Sequence, residues 1–359
     1  MDGILGKALS TVLAVAMGMS SVPAGAAPED RKAFVQATFE NDIFFHSDRY
    51  YTGGFQVQWG EKGGAANGLS RPLERLLCPN ACPDGRRVLY SQKVGQLIYT
   101  PEDISLAVPQ PNDRPWGAFL YYGAESLFRS ADPTVTRSIG YQVGMVGPIA
   151  QGEQVQNGLH HLFDSQQAQG WSNQLDNEPG IVVTYMIEKR LARARNHVAD
   201  SAVWVSANGG VGNVATFGAL GAKMAFGRNL PLQINPSQIG PKSLPLMEQA
   251  LDEVSGSPRY GSCLGILSAC YVFVGVDARL IAHNIFLDGN TFQGNNGNIE
   301  RTPFVYDLVA GFRVAFGGQT FLEGWYVTFT QTRRSSEFSS PQGDGAIQRF
   351  GSVTLGREF

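Results

Sequence analysis

Gln156 and His160 stand four residues apart in the stretch from Gln151 to Phe163, which follows Gly147-Pro148 and places Val155, Leu159, Leu162 and Phe163 on one helical face. Four residues are about one helical turn, so the amide and the imidazole share a neighbouring face. Histidine is the side chain suited to taking a proton from water near neutral pH. A second polar concentration is Glu40-Asn41-Asp42, followed by Asp48-Arg49-Tyr50-Tyr51-Thr52-Gly53-Gly54. Carboxylate and amide oxygens side by side suit a hard cation such as calcium. A base that activates water, with a centre that stabilises negative charge on a carbonyl oxygen, is what ester hydrolysis needs. Each group also has a plainer reading. A helix histidine is usually a surface residue, as His161 is expected to be, and a polar strand end often caps a barrel rim. The G-x-S-x-G elbow of a serine hydrolase is missing from the sequence.

The elements that carry these residues read as membrane strands, which show ten-residue alternation between turn signals. Phe55, Val57 and Trp59 alternate with Gln56 and Gln58, and from Val272 to Ala282 every even position is Val, Ala or Leu while the odd set includes Gly275, Asp277 and Arg279. Such a pattern puts apolar groups on lipid and polar ones in a wet lumen. Twelve strands are expected, near 33–45, 53–61, 91–99, 117–129, 134–147, 178–190, 199–210, 216–227, 269–283, 303–316, 320–332 and 347–358. The fold class is thus an all-β transmembrane antiparallel barrel of about twelve strands, with a short helix in an extracellular loop. An even strand number lets both termini face the periplasm. Val35, Ala37 and Phe39 share one face of the first strand, so Asn41 continues the lipid-facing parity and Asp42 points to the lumen. The closing Phe359 resembles the aromatic signal by which outer-membrane assembly machinery recognises a last strand.

Lys7, the apolar run Ala8 to Met19 and the small-residue site Ala24-Gly25-Ala26 read as a signal peptide over 1–26, leaving a single barrel domain over 27–359. The apolar run is short of the roughly 20 residues a helical span needs. With 43 glycines, 11% aromatic and only 16% charged residues, the composition fits a barrel better than a soluble exported protein. Cys78 with Cys82 and Cys263 with Cys270 fit local disulfides in an oxidising compartment. Zinc ligation is the alternative, against which neither pair has C-x-x-C spacing. A net charge of −3 without basic clusters gives no reason to expect nucleic acid. Segments 62–90 and 228–268 are long, and long connections are normally extracellular, yet by strand parity the first faces the periplasm.

Glu40-Asn41-Asp42 with Tyr51-Thr52-Gly53-Gly54, then Val146-Gly147-Pro148, Gln154-Val155-Gln156-Asn157 and His160, then Trp171, Gln174 and Asn177-Glu178-Pro179-Gly180 resemble the lipid A 3′-O-deacylase family. Gly212-Asn213 and Leu287-Asp288-Gly289-Asn290 extend the likeness, in order, over nearly the whole mature chain. The resemblance implies a twelve-stranded outer-membrane barrel and calcium-dependent hydrolysis of the 3′ acyloxyacyl ester of lipid A in the outer leaflet. Carried over position by position, it makes His160 the general base with Gln156 beside it, and puts Asn41, Asp42 and Thr52 around the metal and the developing oxyanion. Two positions depart from the pattern. Some members have a lysine after the third strand and a glutamate six residues past the histidine. Here 100–112 holds no lysine and the second position is Gln166, which bears on phosphate binding and on the orientation of His160. The alternatives are a barrel of this family with lost or altered chemistry and a passive outer-membrane pore.

Overall fold

The computed structural model describes residues 33–42, 44, 49–63, 68–77, 87–196, 199–231, 239, 263, 265–292, 297–317 and 321–359. The expected signal peptide, Asp48 and the Cys78–Cys82 pair lie outside them.

In chain order the strands are β1 (Ala33–Asn41), β2 (Tyr50–Lys62), β3 (Arg87–Thr100), β4 (Gly117–Arg129), β5 (Val135–Val146), β6 (Glu178–Arg195), β7 (Asp200–Gly212) and β8 (Ala215–Arg228). There follow β9 (Leu267–Asn284), β10 (Glu300–Arg301), β11 (Phe304–Phe316), β12 (Trp325–Arg334), β13 (Phe338–Ser340), β14 (Gly343–Asp344) and β15 (Gln348–Glu358). Twelve of them close an antiparallel barrel in the order β1-β15-β12-β11-β9-β8-β7-β6-β5-β4-β3-β2. They are the twelve expected from sequence, with shifted ends. β10, β13 and β14 form a separate small sheet that the alternation did not reveal, since two- and three-residue strands hold too few positions to show a period. The barrel is sewn by β1 against β15, from Phe34 opposite Glu358 to Asn41 opposite Gly351. Beyond this ladder Ala33 and Phe359 exchange both backbone hydrogen bonds at 3.0 Å.

The alternation along β9 becomes two environments. Val272, Val274, Val276 and Leu280 are exposed on the outer wall, whereas Tyr271 and Phe273 are buried within. In the lumen Arg279 and Arg334 both pair with Asp307, at 2.6 and 2.9 Å, and Lys223 pairs with Glu188 at 2.7 Å. An amide chain runs from Gln36 to Gln58 at 3.0 Å and on to Ser91 at 3.1 Å. Buried charges without partners are costly, so the lumen is filled with cross-links that pair them.

Each strand reverses the last, so the connections after β2 and β8 emerge at the end that holds residues 33 and 359. Both long connections therefore start from the periplasmic end, the first as strand parity required, but Ile239 of the second lies up inside the barrel, where its N–H donates to Glu40 at 2.8 Å and its side chain packs with Tyr51, Phe119 and Phe350. The first carries helix α1 (Ser70–Leu77), which the sequence reading did not anticipate. At the end of the second, Cys263 and Cys270 form a disulfide with a Cα separation of 6.3 Å. Among the described residues no helix is long and apolar enough to cross a membrane.

Candidate active site

The expected extracellular helix is present as α2 (Gly152–Phe163), entered through a single 3-10 turn at Pro148–Ala150. Gly152 lets it descend onto the wall, because a Cβ there would come within 2.5 Å of the Trp171 ring and 2.7 Å of the Ala118 side chain. Two amides hold the entry turn: Asn177 Oδ1 accepts the Ile149 N–H at 2.9 Å, and Gln96 donates to the Ala150 carbonyl at 2.6 Å.

The burial of α2 inverts what its apolar face predicts. Gln156 and His160 are 2% and 7% exposed, while Val155 and Leu162 are 36% and 44% exposed. Leu159 does pack toward the outer wall, beside the cluster of Ala37, Phe39 and Leu355, together with Phe55 and Val57; the side chain of Phe163 lies outside the described residues. The physical reason is the solvent. A helix on the outer wall of a membrane barrel looks outward to lipid, so exposed apolar groups cost nothing there and the polar face is free to turn inward. His161 is exposed, as expected.

Asn41, Thr52, Gln156 and His160 line one cavity between α2 and the outer wall, together with Gln96 and the apolar Phe39, Phe55, Ile98, Val155 and Leu159. Four of the five residues singled out from sequence thus come together. Thr52 reaches this side through a β-bulge: Tyr51 pairs with Tyr99 and Gly53 with Ile98, leaving Thr52 as the extra residue between them. Its hydroxyl lies 2.7 Å from that of Thr100. Gly53 makes room for Asn41, whose Nδ2 would stand 2.9 Å from a Cβ at that position.

His160 Nδ1 is bonded to the backbone carbonyl of Gln166. A carbonyl only accepts, so the neutral ring carries its proton on Nδ1 and its accepting lone pair on Nε2. The position where some family members have glutamate therefore orients the histidine through its main chain, whatever its side chain. Gln156 Oε1 accepts the Trp171 indole N–H at 2.9 Å, which fixes the orientation of the amide.

The segment that presents the Gln166 carbonyl is clasped by Asn157, which accepts the Ala168 N–H at 2.8 Å and donates to the Ala168 carbonyl at 3.2 Å. Asn157→Ala is expected to loosen His160 and lower turnover about ten-fold, on the scale of one or two lost hydrogen bonds. Asn157→Asp keeps the acceptor alone and should fall between; equal turnover in all three forms would remove the clasp from the argument.

Asp42 sits just past β1, buried, with its N–H 3.4 Å from the Thr52 carbonyl and its carboxylate accepting the Arg49 N–H at 2.8 Å. It adjoins the cavity without lining it. Among the described residues no cluster of three or more His, Cys, Asp or Glu could hold a metal. The donors at this strand end are nevertheless all oxygen, from the Asp42 carboxylate, the Asn41 amide and the Thr52 hydroxyl. That set fits a hard cation with one anionic ligand and neutral oxygens for the rest.

Gln96 and Thr100 escaped the sequence reading. The signal for Gln96 was present, since it shares the lipid-facing parity of Val94 and Ile98, where a polar residue is out of place. Other family-like residues prove to be loop ties. Glu178 accepts from Asn213 at 2.9 Å, from Asn290 at 3.2 Å and from the Thr291 N–H at 2.8 Å, joining three extracellular connections. In the third, partial burial works against charge on Asp288, but bonds from His283, the Asn284 N–H and Arg301 prevail and hold its carboxyl below the usual range.

No curated relative matches the sequence. Among solved structures the chain is similar to LpxR from Salmonella typhimurium, with a TM-score of 0.66 and 18% identity over 91% of this chain and 100% of that one. The β domain of the Bordetella autotransporter BrkA follows at a TM-score of 0.40 and 10% identity, over 92% of this chain and 100% of that one, a likeness too weak to argue from. The family model described as outer membrane protein LpxR matches residues 11–359. With that match across nearly the whole chain, and a closed twelve-stranded barrel to go with it, the chain belongs to the LpxR family and is an outer-membrane protein.

Proposed function

We propose that this chain is an outer-membrane esterase that hydrolyses the 3′ acyloxyacyl ester of lipid A. The observation that carries the reading is the convergence of His160, Gln156, Asn41 and Thr52 on one cavity outside the barrel wall, at the extracellular end. Lipid A occupies the outer leaflet, so an acyl ester can enter from the side, past the exposed Val155 and Leu162, without leaving the membrane. A diffusion pore would need an open lumen instead, which the internal ion pairs and amide chains oppose.

In this reading His160 Nε2 takes a proton from a water molecule whose oxygen attacks the ester carbonyl carbon. The Nδ1 bond to Gln166 keeps the ring in the required tautomer as it becomes charged. Negative charge gathers on the carbonyl oxygen, where the Thr52 hydroxyl and the Asn41 and Gln156 amides are the donor groups that line the cavity. The ester C–O bond then breaks, and the proton held on His160 passes to the departing sugar oxygen, so the fatty acid leaves as the carboxylic acid and gives up its remaining proton to solvent. Calcium, held by Asp42 and Asn41 when bound, supplies positive charge that polarises the carbonyl.

Mass spectrometry of lipid A from cells expressing the chain tests the proposal. The expected spectrum lacks the 3′ acyloxyacyl group; unaltered lipid A in cells with a correctly assembled barrel would refute it.

A further inference from the structure

Helix α1 follows β2 at the periplasmic end, yet it does not hang free there. Leu73 packs against the outer wall, on the clusters that contain Tyr90 and Tyr141 and, next to them, Phe128 and Ile139. Glu74 accepts a hydrogen bond from the Ser126 hydroxyl, fixing the helix against β4. These positions belong to the outward set, in register with Tyr122 and Ile181 on the exposed lipid face. The helix therefore covers membrane-facing wall near the periplasmic ends of β3, β4 and β5.

Its outer surface is divided. At about 100° per residue, Ser70, Leu73 and Glu74 face the barrel, Arg71 and Arg75 fall on one flank, and Pro72 and Leu76 fall on the other. Leu76 is 73% exposed, and Leu69, just before the helix and on the same flank, is 50% exposed. Both arginines are exposed as well. In water, bare leucines on an eight-residue helix would be a liability. In the boundary layer of a bilayer they are the expected half of an interfacial amphipathic helix, whose other half is basic.

We infer that α1 is an interfacial lipid-binding helix that docks the periplasmic rim of the barrel onto anionic glycerophospholipid of the inner leaflet, Leu69 and Leu76 entering the acyl region and Arg71 and Arg75 meeting phosphate. The helix continues the lipid-facing wall, and two arginines beside two leucines match an anionic headgroup above its chains.

The full barrel in phosphatidylcholine discs provides the test. Leu76→Trp should add an emission component that acyl-brominated phosphatidylcholine quenches, whereas a tryptophan facing water or covered by another protein would not be quenched. In native mass spectrometry with equal phosphatidylglycerol and phosphatidylcholine, the parent should retain phosphatidylglycerol preferentially. Arg71→Gln with Arg75→Gln should reduce that preference by about five-fold per arginine. An unquenched Leu76→Trp, or a double variant with the parent's preference, would overturn the assignment. Both variants alter exposed side chains outside the barrel ladder, and their heat-dependent gel mobility reports directly that the barrel is closed.

Discussion

Deacylation by His160→Ala is expected to be slower than that of the parent by about 10²-fold or more, the scale of a positioned proton transfer. The imidazole is nearly buried, its Nδ1 is committed to the Gln166 carbonyl, and it lines the same cavity as Asn41, Thr52 and Gln156. His161→Ala is the control. It removes an imidazole from the adjacent position, which points about 100° away on the helix and is exposed, so turnover should stay within about two-fold of the parent, the usual effect of a surface change. The rate is read as loss of the 3′ acyl mass from purified lipid A. A slow His161→Ala with a normal His160→Ala would assign the base to the wrong histidine. Full activity in both would take histidine out of the reaction.

The second large effect concerns the oxygen donors at the end of β1. Chelation of calcium is expected to stop turnover, and Asp42→Ala to lower it by about 10²-fold to 10³-fold, comparable with losing one principal stabiliser of an oxyanion. Asp42 is the single carboxylate of the set, so its removal takes the anionic ligand. It also takes the acceptor for the Arg49 N–H, which ties the start of β2 to the end of β1. Asp42→Asn separates the two contributions: it keeps an acceptor for Arg49 but loses the charge, and more calcium should restore much of its rate. Turnover that persists after exhaustive chelation would leave Asp42 a structural role in the turn alone.

The barrel was legible in the sequence because its period-two pattern is imposed twice, by lipid outside and by the luminal network inside. Even the odd positions of β9, with Asp277 and Arg279, announced their side. The strand ends were less legible. β2 begins at Tyr50 instead of 53 and β6 runs on to Arg195, because hydrogen-bonded pairing continues past the membrane, where no alternation is demanded. Of the site, the type and spacing of Gln156 and His160 survived intact. The packing of α2 did not, because periodicity locates an apolar face but cannot say whether core or lipid receives it. The Thr52 bulge and the Gln166 carbonyl were hidden for a simpler reason. Both are main-chain features, and neither depends on a side chain that the sequence could display.

The seam between β1 and β15 sets the order in which this molecule can be built. Every other barrel pairing joins neighbours along the chain, but the seam joins groups such as the hydroxyls of Thr38 and Thr354, 316 residues apart. Closing so long a loop carries the largest entropy cost of any pairing here and comes last. Until then β1 and β15 are bare edges, each able to pair with any passing strand. A host that inserts such a chain must shield both edges at once and release them only to each other. Changes to the Phe34–Glu358 ladder should therefore show themselves first as aggregation and poor yield, well before they alter the finished barrel.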